Sequence, residues 1–400
     1  MTELTGNPMH AAAVPMYAAT VETEARPRVQ TLSSRLPSLD GWRAISILVV
    51  LGSHTKDTSG FPAENWSFFQ HAFDGHLGVR FFFVISGFLI TWLMLVENER
   101  TGTVNLRHFY VRRALRILPV YLVYLGVLAV LQAFTPFHQS ALGWVGNLTF
   151  ATNYFHVTHV SDHLWSLAVE EQFYLVWPAL FVFFRPQDSW RKCLVLLGFT
   201  LVVAFLNRFL LSQASDSDRL LQRVFHEWSF FNNVDSLAVG CTAAVLLARA
   251  PAELARRMET SPRLILITGA TLISLPVMLS HLPDIVALPS ALQSGLHTIT
   301  LCAGRSLQSI GFALVMVQSV LLARWGIYKG LNNPLLAQLG VLSYSIYIWQ
   351  QLFCTRPEVF GLPDVWWMRY PLWFVPVLIV ACVSYYGLER PLLQLRHRFR

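Results

Sequence analysis

An arginine and a histidine stand eleven residues apart within the first membrane-length apolar stretch, at Arg43 and His54 in LDGWRAISILVVLGSH. An ionisable side chain at membrane depth is costly, so it usually faces a protein interior or a watery cavity and marks a functional site. Imidazole takes up and releases a proton near neutral pH. His54 is therefore a candidate general base for chemistry on a hydroxyl group.

Carboxylates occur in two further apolar stretches, with Glu170 and Glu171 in HLWSLAVEEQFYLVWPAL and Asp235 in NNVDSLAVGCTAAVLL. A carboxylate beside the imidazole would orient it for proton transfer. Neighbouring residues of a helix point about 100° apart, so only one of the two glutamates can face His54. Glu170, which shares a helix face with Ser166, is preferred. A buried structural hydrogen bond between His54 and a glutamate is the alternative.

Two arginines, Arg113 and Arg116 in LRHFYVRRALRILPVY, are three residues apart and share a helix face. Arginine suits bidentate recognition of phosphate, which favours a phosphate-bearing ligand. Control of membrane topology and contact with lipid headgroups explain the pair equally well on spacing alone.

The composition is that of a polytopic membrane protein, because only 13% of residues are charged and 54% are hydrophobic. Soluble domains carry roughly 25% charged residues. The net charge of +7 comes mainly from arginines between apolar stretches, which orient the chain in a bilayer and do not indicate nucleic-acid binding. The five cysteines lack metal-ligand spacing and are expected to be small core residues. No metal site or permanently bound cofactor is predicted.

Apolar stretches predict an all-α bundle of about ten transmembrane helices. They lie at 40–57, 77–96, 117–135, 165–184, 193–211, 229–248, 264–282, 303–323, 335–353 and 369–387. An eleventh piece, 141–155, is shorter than the roughly 17–25 residues that a helical span needs, so an interfacial or re-entrant helix is expected.

Arginine-rich loops predict the topology, since they favour the cytoplasmic side. Both ends of the chain are then cytoplasmic in a multi-pass protein of the plasma (inner) membrane. Residues 1–36 are expected to form a disordered cytoplasmic tail, 37–392 a membrane domain and 393–400 a short basic tail.

Seven blocks of the sequence follow one another from about Leu39 to Pro391. They are LDGWRAISILVVLGSH, GVRFFFVISGFLITWLML, FYVRRALRILPVYL, HLWSLAVEEQFYLVWPAL, VDSLAVGCTAAVLL, LSYSIYIWQ and ERP. In this order they resemble the acyltransferase type 3 family of integral membrane O-acyltransferases. Any one block would be a weak signal, whereas seven in order are specific.

The resemblance implies transfer of an acyl group, commonly acetyl, from acyl-CoA to a hydroxyl of a carbohydrate or glycolipid. The family's arginine and histidine motif falls on Arg43 and His54, and its arginine pair at the acyl-CoA site falls on Arg113 and Arg116. Acyl-CoA would be a co-substrate delivered from the cytoplasmic side. In the resulting hypothesis Glu170 orients His54, and Arg43 helps to hold the anionic intermediate. The possible supporting residues are Glu171, Ser166, Asp235 and Tyr344.

Two positions depart from the common family pattern. Gln350 stands where a histidine often ends the Tyr-x-Trp element, and glutamine does not titrate. Arg80 stands where an acid often follows Gly-Val. An arginine at the membrane edge needs a carboxylate or phosphate partner, so contacts with the acceptor are expected to differ here.

A transporter or flippase of a glycan or small solute is the alternative from another functional class, using the same charges as a solute path. Transporters often show inverted repeats, and no clear repeat is present in this sequence.

Overall fold

The computed structural model describes residues 36–62, 74–155, 157–214, 226–286 and 289–395, and within these ranges it contains helices, turns and connecting segments without a strand. The predicted all-α class is thus confirmed. The described helices belong to one compact unit, Ser33–Arg400. All but the last residue of the predicted tail 1–36 and most of the predicted tail 393–400 lie outside the described residues.

Seven helices make up the first half of the chain. They are α1 Leu39–His54, α2 Gly75–Thr101, α3 Leu106–Phe134, α4 Ala141–Leu148, α5 His159–Asp162, α6 Leu164–Phe184 and α7 Trp190–Gln213. Eight follow in the second half. They are α8 Phe230–Arg249, α9 Pro251–Thr260, α10 Pro262–Ile285, α11 Ser290–Leu321, α12 Tyr328–Leu331, α13 Pro334–Cys354, α14 Phe374–Ser384 and α15 Arg390–Leu395.

Each of the ten predicted spans coincides with a helix, and eight helical segments of the described chain are long and apolar enough to cross a membrane. The other two are α1, which has only 16 residues, and α13, whose glutamines lower its mean hydropathy. Helix α4 has eight residues and a length of about 12 Å, so the prediction that this piece is too short to cross is confirmed.

Helix α3 begins eleven residues before the predicted span at 117. The Asn105 side chain accepts a hydrogen bond from the backbone N–H of His108 and so caps its first turn. Hydropathy marks where a helix enters lipid, whereas the cap marks where it begins. The first three turns of α3 therefore carry the arginines, including Arg113 and Arg116, as part of the bundle.

Helices α2 and α8 form the centre of the bundle. In their most apolar stretches 78% and 83% of the residues are buried, whereas the corresponding value for α10 is 11%. They approach so closely that a Cβ on Gly240 would collide with the backbone carbonyl of Val84. Small residues permit such contacts between membrane helices, where van der Waals packing supplies much of the association energy.

Helix α1 is fixed along its length by α13, α2 and α11. A Cβ on Gly340 of α13 would collide with the backbone carbonyl of Asp40. The Trp42 indole donates a 2.8 Å hydrogen bond to Ser319 Oγ and packs edge-on against Phe81, with ring centroids 5.0 Å apart. These contacts anchor the first half of α1 and project His54 from its opposite end.

All five cysteines are free, and four are buried, as expected of small core residues.

Replacement of Gly240 by Leu is expected to lower the stability of the folded protein by at least about 2 kcal/mol, because overpacking a tight contact forces the helices apart. Gly198 of α7 is the matched control, since a Cβ there meets nothing within 4 Å. Thermal unfolding of the purified full-length variants in detergent measures the effect. Gly240→Leu protein as stable as Gly198→Leu protein would contradict the packing described for α2 and α8.

Candidate active site

Two clusters of ionisable side chains lie near the two ends of α1. The histidine cluster consists of His54, Asp57, His159 and Asp162. The arginine cluster consists of Arg43, Arg113, Arg116, Glu170 and Glu171. The eleven residues from Arg43 to His54 correspond to about 16 Å of helix.

In the histidine cluster, His54 is the last residue of α1 and its side chain is 25% exposed. The 3₁₀ turn Thr55–Asp57 follows directly and brings the Asp57 carboxylate back beside the ring. His54 Nδ1 lies 3.5 Å from Asp57 Oδ2. This carboxylate can fix the orientation of the ring and leave Nε2 for proton transfer.

The same Asp57 oxygen lies 3.9 Å from His159 Nε2. His159 Nδ1 lies 3.2 Å from Asp162 Oδ2, and its Nε2 lies 3.0 Å from the Gln351 amide nitrogen. Asp57 thus lies between two imidazole rings, and helices α5 and α13 close the cluster opposite α1.

The arginine cluster is organised around the Tyr174 ring of α6. The Arg113 guanidinium lies over this ring, 3.7 Å from its centroid, as a cation–π contact. The Tyr174 hydroxyl donates to Glu170 Oε2 at 3.2 Å, and Ser86 Oγ of α2 donates to Glu170 Oε1 at 2.7 Å. Helices α2 and α6 therefore meet at one carboxylate, and α3 joins them through the Tyr174 ring.

Arg43 and Arg116 belong to this cluster through their charges. Arg116, Glu170 and Arg113 all act electrostatically on Arg43, whose guanidinium also lies 3.9 Å from Asp40. Arg116 interacts with Arg113 and with the buried Glu389.

Tyr344 of α13 lies beside Arg116, and its hydroxyl donates a 2.8 Å hydrogen bond to the Ile117 carbonyl. Tyr344 thereby links α13 to the start of α3, where the cluster arginines lie.

The expected pairing of Glu170 with His54 is absent, because Glu170 lies at the depth of Arg43. Helix α2 begins beside Ser53, where a Cβ on Gly75 would meet the Ser53 side chain, and it runs antiparallel to α1. Ser86, the partner of Glu170, lies about 8 Å beyond Phe81, the residue that packs on Trp42. The predicted depth was wrong because contacts between helices, and not distances from span ends, set the level of each side chain.

Arg43 likewise lies too far along α1 to hold an intermediate at His54. Its guanidinium faces Asp40, one turn toward the start of the helix. Long side chains on a helix normally point in this direction.

The remaining predicted residues have structural partners. Ser166 Oγ lies 2.6 Å from the Tyr347 hydroxyl in a buried hydrogen bond. Asp235 forms an ion pair with Arg208 that is at most 1% exposed, with nitrogen-to-oxygen distances of 3.0 and 2.9 Å. Arg208 also donates to Asn232, the Cys302 carbonyl and Ser306. A pair saturated in this way joins α7, α8 and α11 and lies outside both clusters.

Sequence reasoning missed Asp57, His159 and Asp162 of the histidine cluster, and also Glu389, whose charge acts on Arg116. The signal for Asp57 was present in SHTKD, where the acid follows His54 by three residues. Glu389 was visible as an acid at the end of the last apolar stretch. Nothing in the sequence marks His159, because it belongs to α5, which is far from α1 along the chain.

Comparison with known proteins shows a match to an acyltransferase-domain family over residues 36–382. A peptidoglycan O-acetyltransferase, OatA, of Listeria monocytogenes is 29% identical over 204 residues, covering 46% of this chain and 30% of the relative. An O-acetyltransferase OatA of Staphylococcus aureus (strain NCTC 8325) is 31% identical over 196 residues, covering 43% and 30%. A protein of S. aureus (strain COL), named only provisionally as an O-acetyltransferase, is 27% identical over 335 residues, covering 78% and 50%.

The chain thus spans at most half the length of these curated relatives. No solved structure matches it. Because the family match covers most of the chain, including both clusters, this protein belongs to the acyltransferase type 3 family and is a polytopic membrane protein.

Proposed function

We propose that the chain transfers an acyl group, acetyl in the simplest case, from acyl-CoA to a hydroxyl of a carbohydrate or glycoconjugate, with His54 as the general base. The observation that carries this proposal is the His54 imidazole, which is partly exposed and held by Asp57 at the end of a membrane helix. The relatives named for O-acetyl transfer support the acetyl group, and the peptidoglycan enzyme among them supports a polysaccharide acceptor.

In the proposed reaction, Nε2 of His54 takes the proton of the acceptor hydroxyl as its oxygen attacks the thioester carbonyl. The carbon–sulfur bond then breaks, the new ester forms, and the imidazolium returns the proton to the departing thiolate of CoA. Asp57 stabilises the imidazolium and fixes the ring. The 3.5 Å distance between them is long, but catalytic contacts in ligand-free structures often tighten only with substrate bound.

The arginine cluster is the proposed site for the phosphates of acyl-CoA. Two of its buried atoms, Arg113 Nε and Glu171 Oε1, have no hydrogen-bond partner among the described residues. Leaving a buried polar atom unpaired is costly, so a ligand that pairs with Arg113 would be favoured. Acyl-CoA bound here would reach the histidine cluster by extending along α1.

This arrangement gives the two glutamates a role and is consistent with the membrane orientation that the sequence predicts. Glu170 and Glu171 balance the arginine charges in the absence of ligand. The arginine end of α1 would face the cytoplasm, where acyl-CoA is made, with both ends of the chain on that side of the plasma (inner) membrane. The acceptor would approach His54 from the opposite side.

His54→Ala is expected to lower acyl transfer by about 10²- to 10⁴-fold, the usual contribution of general-base catalysis. The assay measures label from acetyl-CoA that is retained by an acceptor in membranes containing the protein. His138→Ala, a change at an exposed histidine after α3, serves as the control. Transfer at the wild-type rate by His54→Ala protein of normal abundance would end the assignment. Solute uptake without retained label would indicate a transporter.

Asp57→Asn is expected to lower kcat by at least about tenfold and to leave the KM for acetyl-CoA unchanged, because Asp57 positions the base and does not touch the donor. Asp57→Glu should restore part of the rate. Glu170→Gln is the comparison variant, and its main effect should be on KM, since Glu170 faces the arginines. Steady-state kinetics measures both parameters. If Glu170→Gln lowered kcat at unchanged KM and Asp57→Asn did not, Glu170 and not Asp57 would orient His54.

Arg113→Lys and Arg116→Lys are expected to raise the KM for acetyl-CoA by about tenfold or more, because lysine lacks the planar fork that binds phosphate in bidentate geometry. Arg107→Lys is the matched control on the same helix, at an exposed position. If the KM for acetyl-CoA is the same in Arg113→Lys, Arg116→Lys and Arg107→Lys proteins, the arginine pair has no role in binding the donor.

A further inference from the structure

A cavity of about 210 Å³ lies between α2, α10 and α11, away from both clusters. Its polar lining includes Asp74, Arg80, His297, Thr300, Arg305 and Gln308. We call it the Arg80 cavity. Pockets for drug-sized ligands occupy roughly 300–1,000 Å³, so this one suits a single sugar residue or one charged substituent.

Helix α11 supplies most of this lining through one face. Thr300, Gly304 and Gln308 follow one another at intervals of four residues, which places them in a single stripe. Gly304 lets α11 pack closely on α10, since a Cβ there would lie 2.9 Å from Pro276. The polar stripe is therefore turned toward α10 and α2, and not toward lipid.

Arg80 is only 8% exposed, yet its hydrogen bonds use only two of the three guanidinium nitrogens. Nε donates to the His76 carbonyl at 3.2 Å, and Nη1 donates to Gln308 Oε1. The remaining nitrogen, Nη2, lies 3.6 Å from Asp74 Oδ2, which is too long for a hydrogen bond. The other oxygen of Asp74 caps the first turn of α2 by accepting from the His76 backbone.

Arg305 brings a second positive charge to the same cavity. Its Nη2 lies 3.3 Å from Glu227 Oε2, and its charge repels that of Arg80. The side chains of Asp74 and Glu227 are 35% and 49% exposed, against 10% and 17% for Arg80 and Arg305. Water therefore screens the two carboxylates more than the two guanidinium groups, and an anion placed between the arginines would relieve their repulsion.

Arg208 shows what a structural arginine looks like in the same region. All three of its nitrogens donate hydrogen bonds, and Asp235 pairs with it at 2.9 Å. Arg80 lacks such a saturating partner among the described residues. The contrast indicates that the Arg80 cavity has capacity for a ligand that the Arg208 site does not have.

Thr300 adds an independent sign of an absent partner. Its hydroxyl oxygen is buried and has no hydrogen-bond partner among the described residues. Buried hydroxyl groups are nearly always paired, and this one belongs to a residue that lines the cavity.

We propose that the Arg80 cavity binds a carboxylate or phosphate group carried by the acceptor, so that the hydroxylated substrate is an anionic glycan. This inference rests on the proposed function for its link to acyl transfer. Helix α2 supports that link, because it begins beside Ser53 and carries Arg80 about 8 Å further along its length. The charged group and the reacting hydroxyl would then bind at the same end of the bundle.

The test measures sugar binding to the purified full-length protein without acyl-CoA, by saturation-transfer NMR with glucose, glucuronate and glucose 6-phosphate. Both charged sugars, or one of them, should bind at least about tenfold more tightly than glucose, since charge-assisted hydrogen bonds are the stronger ones. The tighter of the two identifies carboxylate or phosphate as the preferred group. Equal affinities for all three sugars would overturn the proposal.

Variants locate the site. Arg80→Gln and Arg305→Gln should reduce the affinity for the preferred charged sugar to that for glucose. Thr300→Val, which preserves shape and charge, should reduce it about threefold to tenfold and covers the case in which an arginine variant fails to fold. Arg369→Gln is the control, because Arg369 is an exposed arginine paired with Asp364 at the same end of the bundle. An equal loss in Arg369→Gln protein would contradict binding in this cavity.

His54→Ala separates this proposal from the proposed function. It should abolish acyl transfer and leave binding of the charged sugar unchanged. Wild-type protein that binds the charged sugar but shows no transferase activity would refute the proposed reaction alone. Wild-type protein that transfers acyl groups but binds glucose and the charged sugars equally well would refute only the proposal of an anionic acceptor.

Discussion

Compensation of charge inside an apolar bundle is the constraint on which the rest of this structure depends. Moving an ion out of water costs on the order of several kcal/mol of hydration free energy unless protein hydrogen-bond or ion-pair partners replace the water. Arg208 meets this requirement in full with Asp235 and four further hydrogen bonds. Arg113 meets it only in part, since its Nε has no partner among the described residues. The completeness of hydrogen bonding at a buried charge therefore distinguishes charges that hold helices together from charges that could bind a ligand.

Helix α1 gives the proposed chemistry its geometry. Its first half is fixed by backbone contact with α13 and by Trp42, while its last residue is His54. A helix is stiff and rises 1.5 Å per residue, so the two clusters are held about 16 Å apart. Two substrates that enter from opposite sides of a membrane can meet only if one reaches across this distance. In the proposed reaction, this arrangement would separate recognition of a charged donor from proton transfer on an acceptor.

Much of the fold was predictable because hydropathy and charge act locally. All ten apolar stretches are helices, and the short piece at 141–155 contains a helix of only eight residues. Boundaries were less accurate where a cap, and not lipid, ends the helix, as at Asn105 before α3. The grouping of Arg43 with Arg113 and Arg116 emerged only when contacts among α1, α3 and α6 were known.

The sequence by itself determined the membrane class, the helical architecture, the family and the candidate residues His54, Arg43, Arg113 and Arg116. Residue type and spacing along one chain suffice for these. Only the tertiary structure decided which carboxylate faces the imidazole. Asp57 does so because a 3₁₀ turn folds it back, whereas Glu170 faces Ser86 and Tyr174. The depth of a side chain in a bundle depends on how neighbouring helices slide and cross, and close backbone contacts such as those at Gly240 and Gly340 set that register.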